Sequence, residues 1–368
     1  MNTVIQKVNF PENKRLLVLS DAHGHREEFE RLLADANFSK DDILVIIGDM
    51  LERGLDSLGL LRKVMALSKT HCVYTLMGNV EHRRLYSLFS DDEAVQRQLL
   101  DFSFTAHKLW GSGFFEEMLK EAGFPFSPDL DVKTAFPILR EHFREELAFM
   151  QACPTILETQ NRIFVHGGLP HENLTELVTE ESHTFLKRDH FLTEGRSFQK
   201  TLVVGHWPVT LYSASYPNAA PYYKADQNVL SIDGGCGVKR DGQINLLIFP
   251  DYRSETYELL TRDGLPTVTA LDAQAESAEF GYIRWGDNEV SLIEEHDGLA
   301  KVRHHEKIVT IPKSYLFEKD GQLYGSDYTD YHLPVAPGDT LSIVEETPFG
   351  LYAKKNSVTG WYFGKYTR

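Results

Sequence analysis

The most constraining feature of this sequence is a short run of large apolar residues that ends abruptly in glycine and aspartate. Residues 44–47 read Leu-Val-Ile-Ile, which indicates a strand buried on both faces, and Gly48-Asp49 follows at once. The glycine allows a sharp turn, and the aspartate comes where a parallel strand would end. That end of an open α/β sheet is where ligands bind, so Asp49 is a candidate site residue.

The same succession of apolar strand, polar turn and helix occurs three times near the N-terminus. Residues 15–20 and 72–76 also read as strands with mainly apolar residues, and helical spacing of apolar residues follows at 27–36 and 56–67. This alternation predicts βαβ units and a mostly parallel α/β sheet. Further strands are predicted at 162–165, 201–204, 229–232 and 244–249.

Two regions depart from this alternation. Residues 90–151 are amphipathic and rich in helix-forming spacing, which predicts a helical insertion whose aromatic residues form core. After a linker-like stretch, residues 266–368 contain short alternating segments between Gly and Pro turns, which predicts a small all-β module, SH3-like among the possibilities. We therefore expect a catalytic domain at 1–265 and a C-terminal module at 266–368.

Charge and cysteine content limit the possible partners and cellular location of this protein. A net charge of −16 over 368 residues argues against a partner such as a nucleic acid duplex. The three cysteines are far apart and include no CxxC pair, and no apolar run approaches the length of a membrane span. We expect a cytoplasmic protein without a membrane partner.

Polar residues that follow the predicted strands form a candidate metal site. They are Asp21, His23, Asp49, Asn79, His166 and His206. Carboxylate, amide and imidazole donors without sulfur suit Mn²⁺, Fe or Zn²⁺ better than Ca²⁺, and their number suits two ions that share a bridging ligand. Asp49 is the natural bridge.

These residues lie in motifs that resemble, in order, those of the calcineurin-like metallophosphoesterases. The motifs are Asp21-Ala22-His23, Gly48-Asp49, Arg53-Gly54, Gly78-Asn79, Val165-His166-Gly167-Gly168 and Val204-Gly205-His206. Within the superfamily, the chain resembles bacterial phosphoprotein (Ser/Thr) phosphatases and symmetrical diadenosine tetraphosphatases. The resemblance covers roughly residues 15–250. It implies a four-layer α/β/β/α sandwich and two divalent ions, with Mn²⁺ favoured over Fe or Zn²⁺.

The resemblance also implies a role for each residue. Asp21, His23 and Asp49 would hold one ion, and Asp49, Asn79, His166 and His206 the other. Arg53 and Arg188 match the arginines that grip phosphate, with Arg196 as an alternative to Arg188. The implied reaction is in-line attack on phosphorus by a hydroxide that bridges the ions.

Two motifs depart from the family pattern. The third motif usually reads Gly-Asn-His-Glu, and its histidine protonates the leaving oxygen with the help of an aspartate in the second motif. Here Val80 occupies the histidine position and Glu52 the aspartate position. Three hypotheses follow: the substrates have good leaving groups, Glu52 or His82 serves as the acid, or the protein binds phosphoryl groups and turns over slowly.

Three functions remain open at this point. The leading hypothesis is a metal-dependent phosphomonoesterase, with phosphorylated protein as the first substrate. The second is a hydrolase of nucleotides or dinucleoside polyphosphates, whose leaving groups need less help from an acid. The third is a catalytically weak, phosphoryl-binding scaffold whose C-terminal β module recruits a protein partner.

Overall fold

The computed structural model describes residues 2–368, which form two compact units. The first contains the residues up to Pro208 together with Pro221–Arg262, and the second contains Val209–Ala220 together with Asp263–Arg368. The second unit thus includes a short internal segment that the predicted boundary at 265 did not anticipate. No helix within residues 2–368 combines the length and apolarity needed to cross a bilayer.

The first unit is built on two mixed sheets. Its strands are β1 (Ile5–Lys7), β2 (Leu16–Leu19), β3 (Ile43–Ile46), β4 (Cys72–Thr75), β5 (Ile156–Glu158), β6 (Arg162–Val165), β7 (Thr201–Val204), β8 (Tyr222–Lys224), β9 (Val229–Ser231), β10 (Ile244–Phe249) and β11 (Glu258–Arg262). One sheet has the order β1-β5-β6-β7-β9-β8 and the other β11-β10-β2-β3-β4. The neighbours β2, β3 and β4 are parallel, as are β6, β7 and β9. The mixed α/β fold expected from the sequence is confirmed.

Alternate residues of the central strands pack into two different cores. Leu16 and Val18 of β2 pack with Phe164 of β6, so the two sheets face each other across an inter-sheet core. Leu17 and Leu19 point the opposite way and pack against helices. Because successive strand residues alternate between faces and both faces are covered, the strand reads as an unbroken apolar run.

The helices of the first unit cover the five-stranded sheet and continue into the predicted insertion. They are α1 (Arg26–Asp35), α2 (Ser57–Ser68), α3 (Asn79–Phe89), α4 (Glu93–Trp110), α5 (Phe114–Glu121), α6 (Val132–His142), α7 (Arg144–Ala152), α8 (Leu174–Leu177) and α9 (His183–Leu186), with a 3-10 helix at Phe191–Glu194. Aromatic residues of the insertion, such as Phe115 and Phe136, are fully buried in the same core as Leu17, so they are core residues as expected. Leu109 of α4, an aliphatic residue of the same region, faces solvent and is 62% exposed.

The second unit consists of strands with short connecting turns. The strands are β12 (Thr267–Ala270), β13 (Tyr282–Ile283), β14 (Ser291–His296), β15 (Leu299–His304), β16 (Lys307–Pro312), β17 (Leu316–Lys319), β18 (Gln322–Gly325), β19 (Tyr328–Thr329), β20 (Thr340–Thr347), β21 (Gly350–Lys355), β22 (Val358–Tyr362) and β23 (Tyr366–Thr367). The largest sheet has the order β22-β21-β20-β12-β23, and β14-β15-β16 form a second. Two 3-10 helices, Val209–Tyr212 and Lys313–Tyr315, accompany them. The comparison with an SH3-like module stays a prediction.

The described core leads to a first prediction. Leu44 of β3 is fully buried in the core beneath the helices, whereas Leu109 of α4 faces solvent. We expect Leu44→Ala to lower the free energy of unfolding by about 2–5 kcal/mol, because apolar contacts are lost and a cavity remains. Leu109→Ala should change it by less than about 0.5 kcal/mol. Urea denaturation followed by circular dichroism measures both, and equal effects would contradict this core.

Candidate metal centre

The six predicted ligand residues lie in loops that follow five strands. Asp21 and His23 follow β2, Asp49 follows β3, Asn79 begins α3 after β4, His166 follows β6, and His206 follows β7. Parallel strands present their carboxyl ends at one edge, so each sheet delivers its loops to a common place. The structure brings all six residues together there.

The first group of donor atoms consists of two carboxylates and one imidazole. His23 Nε2 lies 3.8 Å from Asp21 Oδ1 and 3.9 Å from Asp49 Oδ2. All three residues are at most 3% exposed. Two donor atoms can share an ion at about 2.0–2.2 Å only when they lie less than about 4.4 Å apart, so this group can hold a metal ion.

The second group shares Asp49 with the first. His166 Nε2 lies 3.3 Å from the same Asp49 Oδ2 and 3.0 Å from Asn79 Oδ1. The rings of His166 and His206 are 5.3 Å apart, and ligand atoms of Asp49, His166 and His206 converge within 4.8 Å. Asp49 therefore lies between two sets of donors, as a bridging ligand must.

Backbone contacts fix the orientation of the ligand side chains. The Nδ1 atoms of His23 and His166 lie 2.9 Å from Leu51 O and 2.7 Å from Ile47 O. A carbonyl at Nδ1 favours the tautomer whose Nε2 lone pair is available to a metal. Val80 N donates to Asp49 Oδ1 at 2.8 Å, which leaves Oδ2 facing both histidines.

The electrostatics of the cluster also suit a cation. Burial alone would raise the pKa of Asp49, but His166 and His23 hold it well below its usual value. Burial would disfavour a charged His166, yet Asp49 and Asp21 raise its pKa to about 10. Among residues 2–368, the ion pairs of both aspartates involve histidines alone. Two buried carboxylates need compensating positive charge. A bound divalent ion supplies two positive charges, whereas one protonated imidazole supplies one.

Glu81 is a site residue that the sequence analysis missed. Its buried carboxylate accepts hydrogen bonds from the backbone N–H groups of Gly78, Asp49, Met50 and Leu51, at 2.8–3.2 Å. It thereby ties the loop after β3 to the loop after β4. The signal was present, because a glutamate three residues after the N-cap of a helix is typical of a capping box.

Two further carboxylates adjoin the ligands. Asp189 Oδ1 lies 2.7 Å from His206 Nε2, in the chain segment that also contains Arg188. Asp233 follows β9, is fully buried, and accepts a hydrogen bond from Gly235 N at 2.7 Å. Burial raises the pKa of Asp233 to about 6. Asp189 was missed, because no spacing rule connects it to a histidine 17 positions away.

The two predicted phosphate-binding arginines differ in their surroundings. Arg53 is half-buried, and its guanidinium lies 5.1 Å from the ring centroid of Trp110, beside a cavity of about 610 Å³. Arg188 is paired with Glu194, with 3.1 Å between Nε and Oε1. Arg196, the alternative, pairs with the same glutamate and with Pro170 O. Arg53 is therefore the freer of the predicted pair.

The contacts of Glu52 and His82 argue against both predicted general acids. The Glu52 carboxylate is buried, is ion-paired with Arg84 and accepts a hydrogen bond from Phe114 N. His82 stacks on His183, with ring centroids 5.8 Å apart, and burial lowers its pKa to about 4. A neutral imidazole is a poor proton donor at neutral pH, and both oxygens of Glu52 are occupied. Both residues stay predicted acids, and these contacts favour structural roles for them.

With this geometry in place, comparison with known proteins identifies the class. The family model of the calcineurin-like phosphoesterases matches residues 14–249. The chain belongs to this family, whose members are phosphoester hydrolases that use divalent metals. The match ends at the last residue of β10 and does not reach the larger part of the second unit, Asp263–Arg368.

Solved structures give more distant likenesses. A protein assigned as a diadenosine tetraphosphatase is 18% identical, with a TM-score of 0.41 over 70% of this chain and 98% of that one. A serine/threonine phosphatase from Saccharomyces cerevisiae, similar to human PP5, is 13% identical, with a TM-score of 0.43 over 72% and 84%. A metallophosphoesterase from Sphaerobacter thermophilus is 12% identical, with a TM-score of 0.35 over 68% and 88%. At these TM-scores the likenesses carry no functional argument. A comparison with curated proteins finds no match.

The burial of His82 leads to a prediction about how stability depends on pH. Burial lowers its pKa in the folded protein to about 4, below the ordinary value of 6.5. Between these values the unfolded chain binds a proton at this position and the folded chain does not, so stability falls as the pH drops from 6.5 to 4. We expect His82→Gln to make this fall shallower. Urea denaturation at several pH values measures it.

The matched control is His296→Gln, which changes an exposed histidine of β14. The pH profile of that variant should coincide with the profile of the unmodified protein. A His82→Gln profile that also coincides would show that His82 titrates normally and would restore it as a candidate acid.

Proposed function

We propose that this chain hydrolyses phosphoesters with two divalent ions held on either side of Asp49, Mn²⁺ being the favoured metal. The observation that carries the proposal is that two groups of donor atoms share one buried carboxylate. The catalytic domain would be residues 1–265, arranged as a four-layer α/β/β/α sandwich. Within residues 2–368 no disulfide bond joins the cysteines, which is compatible with a reducing, cytoplasmic setting.

Each side chain has a distinct part in the proposal. Asp21 and His23 would complete one ion site with Asp49, while Asn79, His166 and His206 would complete the other. When bound, the ions would lower the pKa of a water molecule and withdraw charge from the phosphoryl group. The carbonyls at His23 and His166 Nδ1 hold those rings in place, so little reorganisation is needed on binding.

Arg53 and Arg188 would hold the substrate. A guanidinium matches two phosphoryl oxygens with two parallel N–H groups, and it neutralises charge that develops in the transition state. Arg53 is supported by its position beside the 610 Å³ cavity, where Trp110 packs on its guanidinium. Arg188 is held in orientation by Glu194, and a phosphoryl group would compete with that carboxylate.

The leaving group distinguishes the possible substrates. Val80 cannot donate a proton, Glu52 is ion-paired with Arg84, and His82 is neutral at pH 7. A phosphomonoester of an alkyl alcohol, such as phosphoserine, leaves poorly without an acid. This specific feature favours a second candidate, a hydrolase of nucleotides or dinucleoside polyphosphates, since a phosphate leaving group has a low pKa.

The shared carboxylate gives the central test. We expect the purified chain to bind two Mn²⁺ ions and to release phosphate from p-nitrophenyl phosphate in a metal-dependent way. Asp49→Asn removes the charge that both ion sites share, so it should lower metal content and reduce activity by about 100-fold or more. Elemental analysis and phosphate release measure the two effects.

Asp226→Asn is the matched control, because it removes an exposed carboxylate that pairs with Lys224. It should retain metal and activity. Metal binding without turnover of p-nitrophenyl phosphate, a phosphopeptide or diadenosine tetraphosphate would favour a scaffold that recruits a protein partner through residues 266–368. Activity that survives in Asp49→Asn would contradict the proposed site.

The valine at position 80, which cannot donate a proton to the leaving group, gives a separate prediction. We expect Val80→His to raise kcat/KM on an alkyl phosphate about tenfold or more, because protonation of a poor leaving group speeds its departure. Activity on p-nitrophenyl phosphate should change little. Val80→Leu is the control for side-chain volume. A parallel increase on both substrates, or an increase in the leucine variant, would show that the leaving group is not the cause.

A further inference from the structure

A second polar cavity of the first unit lies at the opposite strand ends from the metal ligands. Arg162 is the first residue of β6 and pairs in register with Thr201, the first residue of β7. Asn228 lies next to them, just before β9. These residues line a cavity of about 590 Å³, which is in the size range of small-molecule sites. His166 and His206 follow the other ends of β6 and β7, so this cavity is separate from the candidate metal centre.

Arg162 is buried without a carboxylate in ion-pair contact. It is 4% exposed, donates hydrogen bonds to the carbonyls of Tyr252 and Ser254, and stacks on Phe249 at 4.4 Å. No carboxylate within residues 2–368 forms an ion pair with it, and its Nε–H has no acceptor. Burial lowers its pKa to about 10, which still leaves it charged at neutral pH. The charge of Glu255 opposes this lowering. Because no ion pair compensates the buried charge directly, a counter-ion at this place would be stabilising.

The rest of the cavity lining complements an anion that also carries a donor group. Arg253 adds a second guanidinium at the exposed rim, where it pairs with Asp251. The Asn161 side-chain oxygen is buried and has no hydrogen-bond donor. The carboxylate in the lining is Glu255, which is exposed. The lining thus contains two arginines and one glutamate, and Arg253 also pairs with Asp251 and Glu12 outside the lining.

We propose that this cavity binds a small molecule with an oxyanion group, either carboxylate or phosphate, and a hydroxyl or amino group. The oxyanion contacts Arg162 and Arg253, and the donor group reaches Asn161 and Glu255. Guanidinium groups are suited to oxyanions because they offer parallel N–H donors as well as charge. The site is independent of the proposed hydrolysis, because none of these residues belongs to the candidate metal centre.

The test uses the full chain with sulfate and malate as separate probes. Hydrogen–deuterium exchange locates binding, and titration calorimetry measures it. We expect peptides that cover residues 199–203 and 251–257 to gain protection with at least one probe, and the more effective probe distinguishes a phosphate-type ligand from a carboxylate. Unchanged exchange in both peptides at saturating concentrations of both probes would overturn the proposal.

Variants separate this site from anion binding near Arg53. Arg253→Gln should weaken probe binding about tenfold or more through loss of one charged contact, with metal-dependent phosphate release unchanged. Arg144→Gln, an exposed arginine of α7, is the matched control and should bind normally. Arg162→Gln should abolish binding if circular dichroism shows that it folds. If it does not fold, Arg253→Gln decides, and unweakened binding in that variant would overturn the proposal.

Discussion

The candidate metal centre depends on the buried carboxylate of Glu81. Four backbone N–H groups from two loops converge on it, and one of them belongs to Asp49. The loops approach so closely that a Cβ at Gly78 would lie 2.2 Å from Asp49 Oδ1. Burial raises the pKa of Glu81 to about 7. The hydrogen bonds from the N–H groups oppose this rise, because they offset part of the cost of desolvating a carboxylate. Without this contact, the residue that both donor groups share would lose its fixed position.

Backbone strain accompanies this fixed geometry. Asp21, His23, Asp49 and His206 all have positive φ angles, between 43° and 67°. Such conformations cost non-glycine residues about 1–3 kcal/mol each and persist when the surrounding structure holds them. Here the buried strands on either side of the inter-sheet core hold the loops, so the fold stabilises a ligand arrangement that the loops alone would not adopt. This links the apolar strand residues to the polar site that follows them.

The sequence predicted what depends on local pattern. Strands at 162–165, 201–204 and 244–249 were found at the predicted positions, because an unbroken apolar run can be read without knowledge of its neighbours. The six predicted ligand residues lie together because parallel strands present their ends at a common edge. Contacts between residues that are distant in sequence could not be predicted. Glu52 pairs with Arg84 and Arg188 pairs with Glu194, and no periodicity of the sequence reveals such partners. The same holds for residues 209–220, whose grouping with the second unit depends on tertiary contacts.

Glu52 occupies one of the altered acid positions and is held there by buried neighbours. Glu52 and Arg84 are each at most 4% exposed, and the Arg84 guanidinium lies 4.2 Å from the ring centroid of Phe102. The buried Glu52 carboxylate is paired with Arg84, which supplies a compensating positive charge. Removing one partner of such a pair leaves an uncompensated buried charge, so each residue stabilises the other in the fold. On the proposed function, a Glu52 held in this ion pair and a valine at position 80 supply no proton to the substrate. The rate would then depend on how readily the substrate's own leaving group departs.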